Sequence, residues 1–221
     1  MDNIHFNTIC TLKNLDLLHI PCNEDGTTSF GCDQDWYTQP WQRQAGCGAN
    51  TASNLLLYLH KSGRITLPFE LDTRMGCLAL METIWKHVTP TMMGVNSIHR
   101  FTKGVHHYIS GQKIFLRCAL LEYPRKKADR PALSTVLQFI KQGFELDCPI
   151  AFLNLSNGDV KELDAWHWVT LVSVEENTEN GHIQVTAYDG DKSIAVDLAL
   201  WCETTTLEGG FVSLLKESPD W

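Results

Sequence analysis

An α+β domain, with a helical half packed on a sheet half, is the fold class this sequence predicts, and three observations carry the prediction. Apolar residues recur at helical spacing in the first two thirds of the chain, whereas short β-rich runs divided by turn formers fill the last third. No internal repeat, low-complexity tract or long linker divides the 221 residues. That length supports one core of ordinary size, so a single domain over 1–221 is expected, with a helical half at about 45–145 and a sheet half at about 146–216. The seam between the halves is where a cleft would lie.

The elements follow in chain order. Residues 1–45 carry short apolar stretches broken by turn formers such as Asn23-Glu24-Asp25-Gly26, which predicts irregular structure with one or two strands wrapped on a larger body. From Cys47 the pattern turns helical, with Ala52, Leu55, Leu56, Leu57, Tyr58 and Leu59 apolar until Ser62-Gly63 stops it. Further helices are predicted over 78–87, 97–108 and 132–144, the last opening after Pro131, and residues 114–123 read as a strand. After Pro149, strands are predicted over 150–155, 166–174, 182–189, 193–198 and 210–215.

Composition narrows the function classes. Lys and Arg number 18 against 26 Asp and Glu, a formal charge of -8, and the only tight basic group is Arg125-Lys126-Lys127. A nucleic acid is therefore not the expected partner. No window approaches the roughly 18 uncharged apolar residues of a membrane span, so no membrane partner is expected either. The N-terminus shows no basic segment followed by an apolar one, which predicts a reducing, cytoplasmic setting. The eight cysteines include no C-x-x-C pair, so most are expected to be buried small hydrophobes, and neither metal nor cofactor is predicted. Oligomeric state leaves no signal in the sequence.

One cysteine stands apart. Cys47 lies between Gly46 and Gly48 at the mouth of the strongest predicted helix, where unpaired N–H groups and the helix dipole favour thiolate over thiol. The flanking glycines leave room for a carbonyl to approach, and the Cys47 N–H is placed to help hold an oxyanion. A thiolate needs a base. Of nine histidines only His167 has an unusual setting, at the start of a strand of apolar neighbours where a polar ring must find a partner; the others, His182 included, read as solvent-facing or satisfied. If residues 166–174 and 182–189 form a hairpin, paired numbers sum to about 356, which sets Asp189 opposite His167. Ile183, Val185, Ala187 and Asp189 then form the buried stripe, and Asp191 is the fallback carboxylate. Trp36, Trp41, Trp166 and Trp168 are read first as core aromatics and second as the lining of a substrate groove.

Gly46-Cys47-Gly48 with Asn54-Leu55-Leu56-Leu57-Tyr58-Leu59, Cys148-Pro149-Ile150-Ala151-Phe152, His167-Trp168-Val169, Tyr188-Asp189-Gly190, Val196-Asp197-Leu198 and Gly209-Gly210-Phe211-Val212 together resemble the papain-like cysteine peptidases, and within them the branch of the bacteriocin-processing double-glycine peptidases. The resemblance spans roughly residues 30–216 through short, ordered pieces. It implies a papain-like fold, Cys47 as nucleophile, His167 as base and acid, Asp189 as the orienting carboxylate, and a peptide or related amide as substrate. It also implies an oxyanion-stabilising Gln six residues before the nucleophile, where this chain has Trp41. Gln34 is favoured for that role, ahead of Gln42 and then Gln39. An acyltransferase with the same three residues is the alternative activity, and a non-catalytic peptide-binding relative is the third reading. Gly209-Gly210 is read as a turn rather than a cleavage signal.

Overall fold

The structure, a computed structural model, describes residues 8–22, 27–177 and 181–216. The expected turn at residues 23–26, the centre of the expected hairpin turn and the N-terminal residues lie outside them. The described chain runs β1 (Thr8–Thr11), β2 (His19–Pro21), β3 (Thr28–Phe30), α1 (Pro40–Ala45), α2 (Cys47–Lys61), α3 (Arg74–Trp85), α4 (Ile98–Gly111), β4 (Leu116–Tyr123), α5 (Leu133–Glu145), β5 (Ile150–Asn154), β6 (His167–Asn177), β7 (His182–Asp189), β8 (Lys192–Asp197), α6 (Leu198–Thr204) and β9 (Gly209–Lys216). One antiparallel sheet has the order β4-β9-β5-β6-β7-β8, and β1 pairs with β6 beyond the end of β5. β2 and β3 form a separate antiparallel pair.

The expected α+β architecture is the observed one, and the departures are local. α3 starts at Arg74 because the Thr73 hydroxyl accepts the Gly76 N–H at 3.1 Å, a cap hidden from a reading of apolar period alone. α1 and α6 were not anticipated. α1 opens on Pro40 and lasts six residues, and α6 opens where Asp197 accepts the Leu200 N–H at 2.9 Å. Both are too short to show a period.

α2 is the axis of the molecule. Every residue from Cys47 to Leu59 is buried, because α3 packs on one side and β5 and β6 on the other. A helix enclosed all round is apolar all round, and its few polar residues must be paired. Asn54 is the chief case. Its Oδ1 accepts the Cys32 N–H at 2.7 Å and its Nδ2 donates to Thr170 Oγ1 at 3.1 Å. One turn earlier, Asn50 Nδ2 donates to the Cys32 carbonyl at 3.0 Å. The segment before α1, the helix α2 and the strand β6 are thereby locked in one place. Gly31, at φ 98°, is required there, since a Cβ would fall 2.6 Å from Asn54 Oδ1.

The far end of α2 carries a second buried joint. Tyr58 donates to Asp147 Oδ1 at 2.5 Å, Lys13 N–H to the same oxygen at 2.8 Å, and Arg64 to Oδ2 at 2.6 Å. These bonds hold Asp147 at φ 56°, a left-handed conformation that an unsupported Asp adopts only at a cost. They clamp the α5–β5 connection to the helix. β5 and β9 are buried along both faces, which is why their sequences are continuous apolar runs rather than alternations. Gly209-Gly210 opens β9, where a Cβ at Gly209 would meet the Leu153 carbonyl at 2.5 Å, so the pair belongs to the sheet.

Asn54→Ala strips partners from the buried Cys32 N–H and Thr170 hydroxyl together. It is expected to lower unfolding free energy by about 2–4 kcal/mol, read from the midpoint of urea unfolding. Thr170→Val, which removes one partner, should cost less than half as much.

Candidate active site

Three elements meet at the expected chemistry. Cys47 is the first residue of α2, with Gly46 as N-cap and no side chain capping the helix, so the first-turn N–H groups lack acceptors inside it. The chain reaches that point from α1 through a very tight corner. A Cβ at Gly46 would stand 2.3 Å from the Gln42 carbonyl and 2.7 Å from the Tyr37 ring, and one at Gly48 would stand 2.9 Å from Val95 Cβ. The two glycines thus serve the packing of Tyr37 and of the Val95 loop against the helix mouth, where the sequence had pointed to open space for substrate.

His167 opens β6 and its side chain is 15% exposed. Its Nε2 lies 2.9 Å from both Oδ1 and Oδ2 of Asp189, and Cys47 is the other group near enough to the ring to raise its pKa. Burial alone would push the imidazole pKa down; the bonds to Asp189 and Cys47 and their charges outweigh it and raise it to about 10. Since this exceeds the unfolded value of about 6.5, the protonated ring adds stability in full below that pH and loses it as pH rises through about 10.

Asp189 reaches His167 by a route that the hairpin arithmetic did not foresee. Next to the site Thr170 pairs with Tyr188 and Leu171 with Ala187, a register constant of 358, two more than expected. His167 and Asp189 are therefore diagonal rather than opposite. An even slip keeps both on one face, and diagonal neighbours remain within reach of long side chains. Farther along, Ser173 pairs with Thr186 and Asn177 with His182, which gives 359. The change occurs at a β-bulge between Leu171 and Ser173. Were the 359 register continued to the site, Asp189 would face the side of β6 opposite His167; the extra residue restores the parity. The following turn is anchored by Gly190, φ 59°, whose carbonyl accepts from Phe30 N–H and Ser29 Oγ, each at 2.8 Å. Asp191, the fallback, is exposed.

The three glutamines part company. Gln42 is buried and donates to Glu82 at 2.7 Å, while Gln39 is the exposed N-cap position of α1. Gln34 sits on a 3-10 turn, Gln34–Trp36, just after the Cys32 segment that Asn50 and Asn54 hold to α2. Its Oε1 is buried without a partner, and among the described residues its Nε2 makes no hydrogen bond.

The remaining cysteines are all free thiols, and burial raises the pKa of Cys10, Cys118, Cys148 and Cys202, to about 11 for Cys118 and Cys202. Cys32 is raised well above the usual range by its hydrogen bond to Cys77 and by burial. The four tryptophans divide: Trp36 and Trp168 are buried, whereas Trp41 and Trp166 stand at the rim of a cleft of about 270 Å³ that contains Cys47. Trp166 adopts φ 58°, a left-handed conformation that costs a bulky residue roughly 1–2 kcal/mol. Among the described residues no group of His, Cys, Asp and Glu has the arrangement of a metal site, and no helix is long and apolar enough to cross a membrane.

Neither a family model nor a curated protein matches the chain. Among solved structures, the crystal structure of UfSP from C. elegans aligns with 96% of this chain at a TM-score of 0.56 and 11% identity. The alignment takes in only 35% of that neighbour's length. At that identity the likeness bears on the fold, and it gives no support to the double-glycine branch. The chain has the papain-like fold, with its helical half and antiparallel sheet meeting at the Cys47 cleft.

Proposed function

We propose that this protein is a cysteine hydrolase that cleaves a peptide or related amide through an acyl-thioester on Cys47. The observation that carries this is the His167 ring, bonded at Nε2 to both oxygens of Asp189 and close enough to Cys47 for that residue to raise its pKa. The papain-like fold, shared with UfSP, is consistent with it.

On this reading the steps run as follows. Cys47 sulfur, as thiolate beside the imidazolium, attacks the carbonyl carbon and forms a C–S bond. The oxygen that becomes negative is held by the Cys47 N–H, free at the helix start, and by Gln34 Nε2. Gln34 is preferred because Gln42 is spent on Glu82 and its own amide is uncommitted. His167 then gives its proton to the leaving amine as the C–N bond breaks. The neutral ring next takes a proton from water, whose oxygen displaces sulfur and releases the acid. Asp189, bonded to Nε2, orients the ring and holds it positive at neutral pH.

A peptide aldehyde is expected to add to Cys47, seen as a mass shift on the intact protein, and the Cys47→Ala protein should keep its fold and take up none. Absence of any adduct on reduced protein, across aldehydes and epoxides, would overturn the reading. Gln34→Ala should lower kcat about a hundred- to a thousand-fold while aldehyde binding persists. Added amines that divert the product from acid to amide would identify acyl transfer in place of hydrolysis.

Because the leaving amine needs the His167 proton, cleavage should fall as pH rises through about 10. Asp189→Asn removes a bond and a charge that raise that pKa, so the alkaline limb should move to lower pH. The same change should lower kcat/KM at neutral pH by about a hundredfold.

A further inference from the structure

The cleft beside Cys47 is bounded by Trp41 and Gln44 from α1, by Met92, Met93 and Asn96 from the loop after α3, and by Trp166 before β6. Apart from Cys47 itself, no side chain that lines it is acidic or basic, in a chain whose net charge is -8. Its rim is unusually apolar for solvent: Trp41 is 44% exposed, Trp166 46%, Met92 92% and Met93 55%. Those side chains are held by firm backbone. The Met92-Met93 turn closes with reciprocal Thr91 and Gly94 backbone bonds of 3.0 Å, and Trp168 Nε1 donates to the Val95 carbonyl at 2.6 Å beneath it. On the other wall, Asn154 Nδ2 donates to the Asp164 carbonyl at 2.8 Å, which fixes the approach to Trp166.

The strain at Trp166 has no local compensation of the kind found at Asp147. Among the described residues the indole makes no hydrogen bond, and nearly half of it faces solvent. Glycine would take the same backbone shape freely. What the left-handed turn accomplishes is to put an indole at the cleft wall next to His167.

On the peptidase reading above, we propose that Trp166 and Trp41, with Met92 and Met93, are specificity-determining residues that select an extended peptide with a bulky uncharged apolar side chain beside the scissile bond. Flat indoles and flexible thioethers give a large, adaptable contact for such a side chain. A charged side chain would lose water there and meet no counter-charge. Gln44 and Asn96 supply hydrogen bonds for the peptide backbone. The volume of about 270 Å³ accommodates one large side chain and the adjoining backbone, not a folded substrate.

The test uses an internally quenched peptide library, randomised on both sides of the scissile bond, with the whole protein. Wild type should favour Phe, Leu or Met over Ala, and over Asp and Lys, at one position next to the bond by at least tenfold in kcat/KM. Trp166→Gly should reduce the Phe-to-Ala ratio at least tenfold through KM, without lowering the melting temperature, and Trp166→Phe should restore most of it. Trp41→Ala, on the opposite wall, should reduce the same ratio. Efficient cleavage with no apolar preference, or a preference untouched in Trp166→Gly and Trp41→Ala, would overturn this proposal and leave the hydrolase reading in place. No cleavage of any library member, together with no aldehyde adduct on Cys47, would instead overturn the hydrolase reading and this proposal with it.

Discussion

The placement of the site depends on one buried amide. Asn54 lies two helical turns beyond Cys47, and its two ends bind two other parts of the chain: the Cys32 backbone that precedes α1, and Thr170, three residues along β6 from His167. An amide can do this because it offers both an acceptor and donors on one rigid group. Enclosed between helix and sheet, neither partner has water to turn to, so the bonds persist as long as the core does. The distance from the helix mouth to the start of β6 is set by that joint. So is the position of Gln34, which follows Cys32 on the same tethered segment. The Asp147 network performs a comparable task at the other end of α2, and the helix is thus fixed at both ends against the sheet half.

The two walls around Cys47 differ in electrostatic character. Behind His167 the chain gathers carboxylates: Asp189 bonds the ring, and Asp33 feels Asp35, Asp191 and Asp189 together. Burial first, and those like charges after it, lift the Asp33 carboxyl above its ordinary range. Of these carboxylates it is Asp189, together with Cys47, that sustains an imidazolium that burial alone would discharge. In front of Cys47 the cleft has no charge and is walled by indole and thioether groups. Charge therefore belongs to the side where protons would move, and apolar surface to the side where a side chain would bind.

Much of this was legible beforehand where the signal is local or periodic. The enclosed helix α2 was written in a dense apolar run with a clear stop at Ser62-Gly63, and the strands of the last third in short apolar segments with turn formers between them. The place of Cys47 at the mouth of α2 was visible from its glycine neighbours, though those glycines serve close packing against Tyr37 and Val95. Short α1 and α6 escaped because a helix of six or seven residues shows no period, and the buried Asn54 and Asp147 because a lone polar residue does not name its partner.

The sequence by itself determined the class of fold, the helix that presents Cys47, and the stripe on β7 that ends in Asp189, because hydrophobic period and turn chemistry are properties of neighbours in the chain. Tertiary structure alone decided that Asp189 meets His167. Counting from the hairpin end gives an odd register that would separate them by the thickness of the sheet, and only the bulge between Leu171 and Ser173 returns both to one face. It also decided which tryptophans are core and which line the cleft, since exposure at Trp41 and Trp166 is set by what packs against them and not by the residues beside them in sequence. A bulge and a burial pattern are both outcomes of how distant segments share one core, and such sharing is a property of the folded chain as a whole.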